Sequence, residues 1–147
     1  DGDMLAWLKE QVSKSPILQE KIVIHGFLAP SEMEVIIANA YAGFTFAMPA
    51  GESYTLGLGN KFFDYIQARI PQICPALPAY LAMLSKYNIG IACPYNSEAV
   101  VEAMQLLLND KLVYRTYQNN TEAAAKELCW EHESEKLKAI LQQVSAM

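Results

Sequence analysis

The sequence predicts an α/β protein: a parallel sheet with helices on both faces, built as one domain. Three observations carry this. Short apolar runs of strand length alternate with helical stretches of ten or so residues, about four strands in all, and that alternation calls for right-handed crossovers. Glycine and proline punctuate the run ends, at Gly26, Pro49, Pro75 and Pro94. With 147 residues, 52% hydrophobic and 18% charged, the chain buries a core without staples and is not disordered.

Taken in order, Asp3 can cap a helix through Met4, Leu5, Leu8 and Val12 to about Lys14, with Pro16 as its stop. Residues 21–26 form a buried-type strand. Pro30-Ser31-Glu32 opens a helix through Ala40, proline early and acid in the first turn. Residues 44–48 read as the next strand, and 49–58 as a loop. A short helix follows, with Phe62, Phe63 and Ile66 on one side and Asp64 on the other. Residues 71–74 are a strand, 79–87 a helix and 89–93 a strand. Asn96 or Ser97 caps a helix whose Val100, Val101, Met104 and Leu107 or Leu108 share a face. Residues 110–128 are helical, with Glu122 and Lys126 as an i,i+4 pair. In the amphipathic tail 130–147, Trp130 packs the helix onto the domain and Leu137, Ile140, Leu141 and Val144 lie on one side.

The composition excludes several functions. Net charge is −5, and no basic stripe gathers phosphates along DNA or RNA. No apolar run approaches the roughly 20 residues that span a bilayer, and no signal-peptide pattern opens the chain. Cys74, Cys93 and Cys129 are odd in number and form no metal-type pair. Cys74 and Cys93 end strand-like runs, where cysteine is a small buried hydrophobe. Free thiols imply a cytoplasmic protein. No nucleophile–base pair, P-loop or dinucleotide fingerprint stands out, and no cofactor or metal is expected.

In parallel sheets ligands sit beyond the carboxyl ends of the strands. One loop so placed leads into GLGNKFFDYIQARIPQICP, residues 57–75. A glycine-rich entry, a helix start with Asn60-Lys61 and a carboxylate one turn in present amides and a cation to a phosphate, and an acid to a sugar hydroxyl. The combination points to a nucleotide or nucleotide-sugar pocket. Gly57, Gly59, Asn60 and Lys61 are its diphosphate candidates, against the plainer reading of a flexible glycine loop. Asp64 is otherwise a solvated residue paired with Lys61, and Phe27 and Leu28, past a strand end, border the base or are core. His25 is a strand-end histidine near the expected cleft, more simply hydrogen-bonded than catalytic.

The run NKFFDY followed by PQIC resembles the NK-x-F-[DE]-Y motif in the C-terminal, donor-binding half of GT-B glycosyltransferases of the retaining family called family 4 or group 1. Residues 23–27 resemble that family's V-x-F-x-G strand, 98–110 its A-x-A-I-x-x-L-L-x-D helix, and Trp130-Glu131 its closing W-E helix. The similarity spans essentially the whole chain, though only the NK-x-F-[DE]-Y run is specific. It implies a Rossmann-like half of a GT-B fold whose first strand–helix–strand would precede Asp1, so that residues 1–147 would be a fragment inactive alone. The implied donor is a UDP- or GDP-sugar, transferred with retention to an acceptor hydroxyl and without a metal, as in glycan biosynthesis. The implied partner is an N-terminal acceptor-binding domain, with the enzyme cytoplasmic or peripheral at the inner membrane face. Asp64 would bind the ribose, and Glu52 would touch the transferred sugar; the catalytic residues are left unassigned. A sheet edge exposed by truncation could pair between chains.

Departures from the family pattern are definite. Arg69 stands where a glycine follows the motif helix, and Gly59 where a proline often precedes Asn-Lys. Leu56 occupies the position of the first of two family glutamates, Asp64 that of the second; Glu52 lies four residues from it. The alternatives are a non-catalytic flavodoxin-like binding module, or the donor half of another GT-B enzyme such as a nucleotide-sugar epimerase.

Overall fold

The computed structural model describes residues 2–46 and 51–145. The chain divides into two compact units, Asp1–Met33 and Glu34–Met147. The first holds α1 (Leu5–Ser13) and α2 (Pro16–Lys21), and α3 (Pro30–Ala38) begins in it. Asp3 does not cap α1: Met4 is the cap residue, and Leu5 N–H instead bonds the Gly2 carbonyl at 3.0 Å. Pro16 opens a second helix as well as closing off the first. Ser15 accepts from Leu18 N–H at 3.4 Å and Pro16 sits at the first helical position, the arrangement that starts helices.

Residues 21–26 do not form the expected strand. Lys21 ends α2, and 22–26 run without regular structure. Apolar β-branched residues favour a strand only when a neighbour supplies the ladder; here no ladder forms, and Val23 is exposed. α3 matches its sequence signal, with the Glu32 carboxylate accepting Ala29 N–H at 2.9 Å to close the first turn.

The second unit contains β1 (Gly43–Phe44), α4 (Glu52–Leu56), α5 (Asn60–Gln67), β2 (Gln72–Pro75), α6 (Pro78–Tyr87), β3 (Gly90–Cys93), α7 (Ser97–Asn109), α8 (Lys111–Glu127) and α9 (Trp130–Ser145). The strands form one parallel sheet in the order β1-β2-β3, with Phe44 opposite Ile73 and Ile73 opposite Ile91. The expected class is therefore the one found, with three strands rather than about four among the described residues. Residues 52–56, expected as loop, form α4 between Gly51 and Gly57. Their Ser-Tyr-Thr content is weak in helix propensity, which hides the turn from sequence reading. Pro49 and Met48, expected at the end of the preceding strand, lie outside the described residues.

β2 is buried on both faces, and its side chains alternate between two cores. Cys74 packs with Phe62 and Ile66 of α5, Tyr80 of α6 and Ala124 of α8. Ile73 packs on the other face with Cys93, Ala103 and Leu107, bordered by Tyr114 and Tyr117 of α8. Two glycines admit close approach: a Cβ on Gly43 would enter the Tyr65 ring, and one on Gly90 would meet the Gln72 carbonyl. α5 ends in a Schellman turn. Ile70 N–H bonds the Tyr65 carbonyl at 3.2 Å and Arg69 N–H the Ile66 carbonyl at 2.9 Å, with Arg69 left-handed at φ 60°.

Asn96 caps α7 by accepting Ala99 N–H at 2.7 Å, and Asp110 caps α8 through Leu112 and Val113 N–H. The expected Glu122–Lys126 pair is not formed among the described residues. α8 is tied instead to α6, where Glu127 accepts from Lys86 at 2.9 Å and from the Tyr87 hydroxyl at 2.7 Å. The Tyr87 hydroxyl, then Glu127, hold the Lys86 ammonium pKa above its ordinary value. Trp130 is 70% exposed rather than packed, and Leu137, Ile140, Leu141 and Val144 of α9 are exposed as well. No described helix is long and apolar enough to cross a membrane.

Candidate functional site

α5 owes its placement to two side chains one turn apart. Phe62 and Ile66, both fully buried, drive its inner face into the core beside β2. The Phe62 ring meets Tyr80 edge-on at 5.4 Å. Gln72, buried in β2, donates to the Phe62 carbonyl at 3.3 Å. This anchoring sets the amino end of α5 beside the carboxyl end of β1.

A hollow of about 450 Å³ opens there, lined by Phe44, Thr45, Phe46, Gly59, Asn60, Lys61 and Tyr80. The first helical residues offer N–H groups that no earlier carbonyl can reach. The cap residue, Gly59, has no side chain to satisfy them. The lining carries one cation, Lys61, and no carboxylate. Two buried hydroxyls complete it. Thr45 is 7% exposed and its Oγ1 has no hydrogen-bond partner. Tyr80 is 2% exposed; its hydroxyl oxygen accepts Gly59 N–H at 3.3 Å. A buried polar atom without a partner is uncommon and calls for an explanation.

Phe44 and Phe46 stack at 4.6 Å, and Phe46 meets Tyr95 edge-on at 5.3 Å. Phe44 and Phe46 also line a second hollow of about 400 Å³, with Tyr95, Asn96, Ser97 and Val100 at the amino end of α7. Burial, then the neighbouring Tyr80, raises the Tyr95 phenol pKa. The thiols of the strands are not nucleophiles. Burial, then nearby Cys93, pushes the Cys74 pKa up to about 12, and burial raises that of Cys93. Among the described residues no cluster of His, Cys, Asp or Glu is disposed to hold a metal ion.

Of the residues singled out in the sequence, the hollow brings together Gly59, Asn60 and Lys61. Gly57 lies just before it, its N–H bonded to the Ser53 carbonyl at 3.0 Å to close α4. Asp64 is half-buried one turn along α5 and is not among the lining side chains; no ion pair joins it to Lys61 among the described residues. Glu52 is exposed in the first turn of α4. Phe27, 91% exposed, Leu28, half-buried, and exposed His25 belong to the first unit.

The fold has a known counterpart. The structure is similar to sucrose-phosphate synthase from Thermosynechococcus elongatus, with a TM-score of 0.76 and 19% identity over 95% of this chain. The chain spans 34% of that protein's length. At this identity the likeness is one of fold, consistent with the Rossmann-like half of a GT-B fold expected from the sequence. No protein-family model and no curated protein matches the chain.

Sequence reasoning missed Thr45, Tyr80 and the aromatic shelf of Phe44, Phe46 and Tyr95. A signal for Thr45 did exist, since it is the one polar residue in an aromatic-flanked run at a strand's carboxyl end. Tyr80 gave none, because only the fold brings α6 under the start of α5.

Proposed function

We propose that the chain is the donor-nucleotide-binding part of a glycosyltransferase, which moves a sugar from a nucleoside diphosphate sugar to an acceptor hydroxyl with retention of configuration. The observation that carries this is the acid-free hollow at the amino end of α5, lined by Gly59, Asn60 and Lys61. Amide dipoles and the Lys61 ammonium there favour a diphosphate. As the sugar departs, the same groups offset charge growing on the leaving diphosphate, which is electrostatic catalysis without a metal. Asp64, one turn along, accepts hydrogen bonds from the ribose diol, and Glu52 is the candidate for the transferred sugar. The likeness in fold to a sucrose-phosphate synthase supports the reading, as does the NKFFDY run. A second domain would bring the acceptor, so the chain alone binds donor but does not turn it over.

Titration of the full chain with UDP and GDP, followed by amide NMR, tests this. Resonances of residues 60–64 should shift saturably with one of the two. Asp64→Ala should weaken that binding about tenfold, the scale of a charged hydrogen bond, while leaving the melting temperature nearly unchanged. Unmoved resonances at millimolar nucleotide would overturn the assignment.

A further inference from the structure

The two buried hydroxyls in the hollow are unexplained by packing. Thr45 Oγ1 sits just beyond β1 with no partner, although its backbone N–H is engaged with the Ile73 carbonyl at 3.0 Å. A valine of the same shape would fill that space without stranding a polar atom. The Tyr80 hydroxyl is half used. Its oxygen accepts from Gly59 N–H, and no described residue accepts its proton. Both residues line the hollow that the first turn of α5 also faces.

Every polar group in this lining can donate, and none is acidic. A sugar hydroxyl bound by such a set would want at least one strong acceptor for its own proton. An oxyanion needs only donors, and gains further from the helix dipole and from Lys61. We propose that Thr45 and Tyr80 are phosphate-binding residues: their hydroxyls donate from the floor of the hollow to oxygens of the phosphate that the amides of Asn60 and Lys61 hold from its rim. This rests on the nucleotide reading above and adds to it the residues that fix where the phosphate sits. Thr45 thereby lowers the stability of the empty protein while strengthening its complex, a division found where function opposes packing.

The test is calorimetric titration of the full chain with UDP, uridine and inorganic pyrophosphate, with melting curves of the free proteins alongside. Thr45→Val should bind UDP and pyrophosphate about tenfold more weakly, with uridine affinity unchanged and a melting temperature equal to or above that of the unaltered chain. Thr45→Ser, which restores the hydroxyl, should bind within about threefold of it. Tyr80→Phe should weaken the same two ligands, but with a lower melting temperature because Gly59 N–H loses its acceptor. Thr45→Val binding UDP as tightly as the unaltered chain, or losing uridine to the same degree as UDP, would overturn the proposal and leave the nucleotide reading standing. An unaltered chain that takes pyrophosphate in a Thr45-dependent way but no nucleotide would support the phosphate site and sink the donor reading. Binding of none of the three would sink both.

Discussion

Arg69 offers a direct measurement of what the α5 turn requires. It is left-handed, with φ 60°, at the position after the helix cap that glycine ordinarily fills. A side chain there costs about 1–2 kcal/mol relative to glycine. Glycine gives back about 0.5–1 kcal/mol through greater freedom in the unfolded chain. Arg69 is exposed and makes no ion pair among the described residues, so little else is lost on its removal. Arg69→Gly should therefore stabilise by about 0.5–1 kcal/mol, which for a chain of this length raises the melting temperature by about 2–4 °C. Arg69→Ala keeps the strain and removes the guanidinium, so it should melt with the unaltered chain. Urea and thermal unfolding of the three proteins decide the matter. If glycine and alanine prove equally stable, the left-handed strain is not what the position imposes.

Two further outcomes follow from the core. Cys74 is neutral in the folded protein up to about pH 12, against 9.0 for the ordinary thiol. Below the lower value both states hold the proton and stability is flat. Above it the unfolded chain ionises first, so stability should fall by about 1.4 kcal/mol per pH unit. Urea midpoints measured either side of that value should show the fall, and Cys74→Val should remove it. Gly43→Ala drives a methyl into the Tyr65 ring and should destabilise by about 1–3 kcal/mol; adding Tyr65→Ala should abolish the effect of the alanine, as read from a double-mutant cycle in urea.

The parts of the fold legible in the sequence are those where local chemistry and tertiary demand agree. Asn96 and Asp110 are good caps that begin the helices they cap, and the runs at 72–75 and 90–93 are buried strands because β2 and β3 pair with each other. The run at 22–26 has the same look and no partner, so its composition misleads. α4 fails in the opposite sense, held between two glycines despite weak propensity. At the site, Asn60, Lys61 and Gly59 were readable because a helix start announces itself within a few residues. Tyr80 stands 21 residues from the Gly59 amide that it accepts from, and only the fold connects them. Thr45 was readable as polar, but its missing partner is a fact of three dimensions.

α8 enters both cores. Its early tyrosines, Tyr114 and Tyr117, border the layer around Ile73, and its later alanines, Ala124 and Ala125, sit in the layer with Phe62 and Tyr80. One rod thus fastens the two sides of the sheet, and neither side can loosen without tugging on the other. Residues remote from the ligand, on the far flank of β2, therefore share in keeping the hollow's shape.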